Sequence, residues 1–229
     1  MANKKRLSKL FRTIFDNEYI IHVCTQHTGK MSGMYSISTA CTLNDNCKKL
    51  SSDPSTICSH CYAQSMLSVG FWKWTRKHVE ENHIVLTNRI LHDEEIPLIN
   101  AHSFRFEAFG DLNNTTQVRN YFRICELNPY TSFALWTKRP FLIANTIREG
   151  YTKPSNLIII YSSPMIDTPV NLQKLQKTFP FVDKAFTVWR TADTAKKHGV
   201  NINCGARACL KCMKCYRINE HKEIAELLK

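Results

Sequence analysis

Short apolar runs alternate with longer amphipathic segments through most of this chain. Apolar residues at every second position, or a short β-branched run, indicate a strand, whereas a spacing of three or four indicates a helix. The pattern predicts strands at residues 34–40, 102–108, 131–136, 157–161 and 184–189. It predicts helices at residues 71–91, 115–127, 141–148, 172–178 and 219–228, with Asn113 or Asn114 capping the second of these.

Strands that alternate with helices are typical of βαβ units around a parallel sheet. About five or six units are too few to close an eight-stranded barrel of ~250 residues, so we expect an α/β fold that forms a partial, open TIM-type barrel. We divide the chain into a basic N-terminal segment at residues 1–33, the barrel at 34–195, and a cysteine-rich, metal-binding C-terminal segment at 196–229. Functional groups are expected at the carboxyl ends of the strands.

Composition indicates a globular protein with an anionic partner. Of the 229 residues, 43% are hydrophobic, and no run approaches the ~20 apolar residues of a membrane span. The basic N-terminus lacks an apolar signal-peptide core, so we expect a cytoplasmic protein. The formal net charge of +12 favours nucleic acid or a phosphorylated substrate as partner. The chain has no glycine-rich phosphate loop, which argues against a P-loop or Rossmann nucleotide site.

Two groups of cysteines, far apart in the sequence, provide the clearest chemical signal. The first consists of Cys47, Cys58 and Cys61. Three thiolates can hold three irons of a 4Fe–4S cluster, which leaves the fourth iron open for a ligand. With Cys41 as a fourth ligand, the same loop can instead hold a structural zinc ion. Spacing alone favours neither interpretation.

The second group repeats every three residues, as in bacterial-type ferredoxins. It consists of Cys209, Cys212 and Cys215, and Cys204 is the candidate fourth ligand. A site closed by four cysteines has a structural or electron-relay role, and either a second 4Fe–4S cluster or zinc would suit it. The two remaining cysteines, Cys24 and Cys125, are expected to be buried as small apolar residues.

Three motifs follow one another in the first two thirds of the chain. They are Cys58-Ser-His-Cys61-Tyr62-Ala63, Phe104-Arg-Phe-Glu-Ala-Phe-Gly110-Asp111 and Phe133-Ala-Leu-Trp-Thr137-Lys138-Arg139-Pro140. With these motifs in this order, the chain resembles the radical-SAM-like proteins that bacteriophages encode, of the gene product 88 kind. The resemblance covers roughly residues 35–215.

The resemblance implies a cofactor pair. A 4Fe–4S cluster would be held by Cys47, Cys58 and Cys61, and S-adenosylmethionine (SAM) would chelate its open iron. The enzyme would use a 5′-deoxyadenosyl radical on an unidentified substrate, with nucleic acid or a nucleotide as a candidate, and would need an electron-donating reductase. A phage protein of this kind would act in the host cytoplasm.

The resemblance also implies residues that contact the cofactor: Tyr62, Gly110, Asp111, Ser162 and Ser163. Asp111 would pair with the ammonium group of SAM, Gly110 would allow close backbone approach, and the serines would contact its ribose. Asp111 has an equally simple interpretation as a turn or helix-capping residue. The serines have one as the turn after a strand.

A different class of function stays open. The chain can be a non-catalytic phage protein, stabilised by zinc or an iron–sulfur cluster, that binds nucleic acid through its basic ends. A further aromatic and basic stretch could stack bases, although its position in a predicted helix favours core packing. That stretch contains Phe71, Trp72, Lys73, Trp74, Arg76 and Lys77.

Overall fold

The computed structural model describes residues 12–14, 20–205 and 208–228. Strands β1 (Arg12–Ile14) and β2 (Ile20–His22) form a separate antiparallel pair. The remaining strands form one parallel sheet in strict sequence order, which confirms the α/β fold. They are β3 (Tyr35–Ile37), β4 (Ser103–Phe106), β5 (Ser132–Thr137), β6 (Leu157–Ile166), β7 (Lys184–Trp189) and β8 (Glu223–Leu227). The sheet is open, with β3 and β8 as outer strands, and is consistent with a partial barrel.

Eight α-helices lie among the described residues; those predicted at residues 71–91, 115–127, 141–148 and 172–178 are among them, and the other four were not predicted. They are α1 (Asp45–Ser51), α2 (Tyr62–Ser68), α3 (Lys73–Asn88), α4 (Thr115–Glu126), α5 (Pro140–Arg148), α6 (Leu172–Thr178), α7 (Ala192–Lys197) and α8 (Cys209–Cys212). The side chain of Asn114 caps α4 by accepting a hydrogen bond from the backbone N–H of Gln117 at 3.0 Å, as predicted. In the described part of the chain, no helix combines the length and apolar character needed to cross a membrane.

One face of the sheet packs against the helices through alternate strand residues. Phe104 and Phe106 of β4 point to this face together with Phe133 of β5. The ring of Phe106 stacks on Phe133 at 5.1 Å and on Tyr121 of α4 at 4.1 Å. Each fully buried aromatic or aliphatic side chain contributes about 1.5–3 kcal/mol to folding, so this face carries most of the core.

The opposite face of the sheet is covered by the C-terminal cysteine-rich segment. Tyr216 packs there against Ala134, Ile158 and Ile160 of the sheet. The ammonium group of Lys184, on β7, donates a hydrogen bond to the backbone oxygen of Arg217 at 2.8 Å. The second cysteine group therefore lies against the sheet rather than apart from it.

The prediction of a C-terminal helix at residues 219–228 is wrong, because residues Glu223–Leu227 form strand β8. The side chains of Ile224 and Ala225 are buried, and β8 pairs in parallel with β7 along its whole length. Burial and pairing against an available sheet edge outweigh the helix preference of Glu, Ala and Leu.

Strand β6 is longer than predicted. It extends to Ile166, with a shift in register relative to β7 between Ser162 and Ile166. Ser162 and Ser163 are therefore buried strand residues at an irregularity, and their interpretation as a turn after the strand is wrong.

Core packing is also the wrong prediction for Trp74, whose side chain stands on the surface of α3 with 71% of its area exposed. Helix α3 buries Val79, Val85 and Leu86 instead. Trp72 is half-buried, and the side chain of Phe71 lies outside the described residues. The basic residues before Arg12 also lie outside them, so the predicted N-terminal segment stays untested.

Candidate functional site

The first cysteine loop extends from the end of β3 across the carboxyl edge of the sheet. Thr56, in the middle of this loop, forms an isolated antiparallel bridge with Met165 near the end of β6. The backbone N–H of Ile166 also donates to the oxygen of Ser55 at 3.3 Å. The loop thus spans four neighbouring strands, and its cysteines lie at the edge where parallel sheets bind ligands.

Asn44 fixes the position of Cys47 over this edge. Its side-chain oxygen caps helix α1 by accepting from the backbone N–H groups of Asn46 and Cys47 at 3.0 and 3.3 Å. Its amide donates to the backbone oxygens of Asp111 and Leu112 at 2.9 and 3.3 Å. A single fully buried amide therefore ties the helix that carries Cys47 to the turn after β4.

Cys58 and Cys61 lie on either side of a short turn. Cys58 belongs to the 3-10 helix Ile57–His60, and Cys61 is the residue before α2. A hydrogen bond from the thiol of Cys41 lowers the pKa of Cys61 to about 6, with further help from backbone N–H groups of α2. Cys41, which is buried beside Cys61, correspondingly has a raised pKa.

The four thiols of this loop are electrostatic neighbours, in the pairs Cys41–Cys61, Cys41–Cys47, Cys47–Cys58 and Cys58–Cys61. Burial raises the pKa of Cys47 and of Cys58, and the charge of Asp111 adds to both shifts. We call the cysteines Cys41, Cys47, Cys58 and Cys61 the edge group.

Lys138 supplies a positive charge to the edge group. It follows β5 directly, and its ammonium group interacts with Asp111 and with the thiols of Cys47, Cys58 and Cys61. Burial opposes the charged form of Lys138, but Asp111 and the three thiols outweigh burial and raise its pKa above the ordinary value.

Asp111 joins the ends of two strands. Its carboxylate, only 2% exposed, accepts hydrogen bonds from the hydroxyl of Thr137 at 2.6 Å and from the backbone N–H of Lys138 at 3.0 Å. It also accepts from the N–H of Leu112 at 2.8 Å. An ionised carboxylate has about four acceptor positions, so three are used within the protein and one on Oδ2 is left.

Gly110 is required by its neighbours. A Cβ atom at this position would lie 2.5 Å from both the backbone oxygen of Thr39 and Oε2 of Glu107. The close approach that the sequence analysis assigned to the cofactor is thus made by the chain itself, at the junction of β3 and β4.

Glu107 is a buried carboxyl group directly after β4, in the left-handed region with φ of 59°. It accepts hydrogen bonds from the backbone N–H of Thr39 at 3.2 Å, from the amide of Gln117 at 2.6 Å and from the hydroxyl of Tyr121. Burial raises the pKa of Glu107 to about 7, although these hydrogen bonds act in the opposite direction.

The other predicted cofactor residues border the same edge. The ring of Tyr62 is 54% exposed, while its hydroxyl donates to the backbone oxygen of Ala108. Ser162 and Ser163 are buried near the end of β6, and the hydroxyl of Ser163 donates to the oxygen of Met165 at 3.4 Å. The bridge between Thr56 and Met165 brings this end of β6 beneath the cysteine loop.

The second cysteine group, which we call the sheet-face group, gathers around Cys215. The thiol of Cys215 interacts electrostatically with Cys204, Cys209 and Cys212. Burial raises the pKa of Cys215 to about 12, and the guanidinium group of Arg105 opposes this rise. The ammonium group of Lys30 lies 3.6 Å from the sulfur of Cys204.

All ten cysteines are free thiols in the structure. Cys125 is buried in the core, as predicted. Cys24 is only half-buried, near the edge of β3, so its expected role as a core residue is wrong.

A family model described as "Gene product 88" matches residues 2–227 of the chain. The chain belongs to the gene product 88 family. No curated protein matches it. No solved structure matches it.

The match confirms the family part of the resemblance, and in this gene product 88 protein it extends over both cysteine groups. The radical-SAM assignment stays a prediction. Within the described residues, no three His, Cys, Asp or Glu side chains are arranged to hold a single metal ion. A 4Fe–4S cluster binds each cysteine through a different iron and so requires wider sulfur spacing than one ion does. Thiolate donors are chemically suited to iron–sulfur clusters and zinc.

Several residues at the edge of this gene product 88 protein escaped the sequence analysis. Asn44 and Glu107 are polar residues that become fully buried only when β3 and β4 come together. Lys138 was visible as part of a Thr-Lys pair after a strand, but its direction toward the thiols depends on the path of the cysteine loop. A charged residue after a predicted strand was the available signal for Lys138, whereas Glu107 lay inside the strand predicted at residues 102–108, which ends at Phe106.

Proposed function

We propose that this protein is an iron–sulfur enzyme of radical SAM type. In this proposal Cys47, Cys58 and Cys61 hold a 4Fe–4S cluster, and SAM binds its open iron. The observation that carries the proposal is the gathering of these three thiols with Lys138 and Asp111 at the carboxyl edge of a parallel sheet. A purely structural metal site has no need to lie at this edge, where ligands of such folds bind.

The charge of Lys138 supports an anionic group among the thiols. Its ammonium group faces Asp111 and the thiols of Cys47, Cys58 and Cys61, and a cation at this position favours negative charge on those thiols. Thiolates bound to iron would provide the negative charge that Lys138 faces. Lys138 would in turn stabilise them as thiolates.

The chemistry that such a cluster and SAM supply when bound is one-electron reductive cleavage of SAM into methionine and a 5′-deoxyadenosyl radical. The chain's own residues would orient SAM and exclude water. The remaining acceptor position on Oδ2 of Asp111 would receive the ammonium group of SAM. The half-exposed ring of Tyr62, and Ser162 and Ser163 at the end of β6, would line the rest of the cofactor site.

Cys41 decides between the two metal interpretations of the edge group. If its thiol binds metal, the site is closed by four cysteines and has no open iron for SAM. In our proposal Cys41, whose thiol has a raised pKa beside Cys61, instead keeps its proton and stays outside the ligand set. Hydrogen bonds to cluster sulfurs tune the reduction potential rather than provide a ligand.

We further propose that the sheet-face group holds a second metal site, a 4Fe–4S cluster or zinc, through Cys204, Cys209, Cys212 and Cys215. The mutual interactions around Cys215 support it. Arg105 and Lys30 would offset part of the negative charge of four thiolates, with Lys30 also paired with Glu226 at 2.6 Å. Its position against the sheet favours a structural or electron-relay role.

The proposal is tested by anaerobic purification followed by equilibrium binding of SAM. We expect a brown protein that binds SAM, whereas Cys58→Ala loses SAM binding. Asp111→Asn should keep the iron but lose SAM, because the amide has lost the negative charge. Colourless protein with stoichiometric zinc would refute the proposal, and so would SAM binding that is unchanged in Cys58→Ala.

The alternative is a non-catalytic, metal-stabilised protein that binds nucleic acid. It predicts salt-dependent binding of DNA or RNA and no effect of SAM on the protein. Under this alternative, Asp111→Asn would alter only stability, because its hydrogen bonds join strand ends and serve no ligand.

A further inference from the structure

The side chain of Trp74 is exposed on the first turn of α3 even though the helix has an ample buried face. Its exposed fraction is 71%, while Val79, Val85 and Leu86 of the same helix are buried. A single exposed apolar side chain is common on protein surfaces, so an inference about a ligand depends on the charged groups beside Trp74.

Three basic residues, Lys73, Arg76 and Lys77, flank Trp74 along helix α3. The ammonium group of Lys77 lies 5.8 Å from the ring centroid and 3.7 Å from the carboxylate of Glu81. The exposed Lys73 has no ion pair within the part of the chain that the structure describes, and the guanidinium group of Arg76 reaches Glu80 at 2.8 Å. Lys73 and Arg76 lie in the first turn, where the helix dipole favours acidic residues. The dipole therefore does not account for Lys73, whereas Arg76 forms an i,i+4 ion pair with Glu80.

An exposed aromatic ring next to basic side chains matches one chemical class of ligand. Unpaired bases stack on aromatic side chains, and the phosphates beside them interact with lysine and arginine. Duplexes bury the faces of their bases and would use the cations alone. The net charge of +12 means that the whole molecule also attracts the anionic phosphates of nucleic acid.

We propose that Trp74, Lys73 and Lys77 bind single-stranded nucleic acid, with an unpaired base stacked on Trp74. If the nucleic acid is the substrate of the enzyme, this inference rests on the proposed function. The binding surface itself does not depend on that function. The opposite, buried side of helix α3 contacts the edge group, because Val79 packs in one cluster with Cys41 and Ala63. The ring of Trp74 also lies 6.5 Å from His78, which stacks on His22 at 4.0 Å in the wall of a cavity of about 90 Å³.

Fluorescence anisotropy with labelled single-stranded DNA and RNA oligonucleotides tests the inference. Trp74→Ala should weaken binding by about 5- to 150-fold, the equivalent of stacking one base. Trp74→Phe, which keeps an aromatic face, should retain most of the affinity. Tyr130→Ala is the matched control, because Tyr130 is 94% exposed in the turn before β5, and it should bind as wild type does.

Wild-type affinity in Trp74→Ala would overturn the inference, and so would equal affinity for a duplex of the same sequence. Preferential binding to anionic lipid vesicles would overturn it in favour of a membrane surface. Iron content and SAM binding are measured on the same variants. If no cluster forms but binding still depends on Trp74, the enzyme proposal fails and the binding surface stands. If the cluster and SAM bind but no oligonucleotide does, only the binding surface fails.

Discussion

The carboxylate of Asp111 and the hydroxyl of Thr137 are joined by a hydrogen bond of 2.6 Å between the ends of neighbouring strands β4 and β5. The same hydroxyl accepts a hydrogen bond from the backbone N–H of Arg139 at 2.9 Å. Both side chains are buried. This pair fixes the backbone from which Lys138 projects toward the edge group, so it connects strand geometry to the chemistry of the thiols.

Replacement of this hydroxyl should destabilise the fold measurably. Thr137→Val leaves a buried carboxylate without one of its donors, and we expect a loss of about 1–3 kcal/mol in the free energy of unfolding. Thr137→Ser keeps the hydroxyl and should lose less. Urea denaturation of the two variants provides the comparison, and equal stabilities would show that the hydrogen bond contributes nothing.

Gly110→Ala should be poorly tolerated, because its Cβ would meet the backbone of Thr39 at 2.5 Å and the carboxyl of Glu107 at the same distance. Overpacking of this kind costs about 1–3 kcal/mol. Gly70→Ala is the control, since no atom lies within 4 Å of its Cβ position. The prediction fails if thermal unfolding shows the two variants to be equally stable.

Glu107 should make the stability of the protein depend on pH. The pKa of Glu107 is raised from 4.5 to about 7, so the folded state holds its proton more tightly than the unfolded state does. The contribution of this proton to the free energy of unfolding is complete below about pH 4.5 and is lost as the pH rises through about 7. The full effect is about 3 kcal/mol.

Denaturation of wild type and Glu107→Gln between pH 4.5 and 8 measures this contribution. The stability advantage of wild type over Glu107→Gln should shrink with rising pH. The exposed Glu126→Gln serves as a control for the replacement of a surface carboxylate. A difference that grows with pH would contradict the raised pKa of Glu107.

Lys138→Met should weaken metal retention, because it removes the cation that faces Cys47, Cys58 and Cys61 while keeping similar volume. Loss of a group that supports metal ligands costs about 10- to 100-fold in metal affinity. Competition with a chelator measures the change, and Lys138→Arg should lose less because the charge remains. Identical chelator sensitivity in wild type and Lys138→Met would show that Lys138 does not support the metal ligands.

The sequence predicted most of the sheet because strands buried on both faces leave continuous apolar runs. Residues Leu172–Thr178 and Lys184–Trp189 form their elements at the predicted bounds. The prediction failed at residues Glu223–Leu227, where Glu, Ala and Leu favour a helix in isolation and only the free edge of β7 makes a strand preferable. Local preference could not reveal that edge.

The candidate site was predictable in its cysteines and less so in its polar partners. Cysteine spacing indicated both groups, and the parallel sheet located the first at the carboxyl edge. The roles of Glu107 and Asn44 depend on contacts between residues more than 60 positions apart, such as Glu107 with Thr39 at 3.2 Å. Exposure of Trp74 depended on which face of α3 meets the core, which a mixed polar and apolar helix leaves ambiguous.

In the proposed site, three thiols of the edge group hold a cluster and Cys41 is not a ligand. The most direct test is the iron and sulfide content per chain of Cys41→Ser and Cys58→Ser, reconstituted anaerobically in a Cys209→Ser/Cys212→Ser background that disables the sheet-face group. The account predicts about four irons and four sulfides in the background and in Cys41→Ser, and a loss of both in Cys58→Ser. A single zinc ion that is lost equally in Cys41→Ser and Cys58→Ser would contradict it.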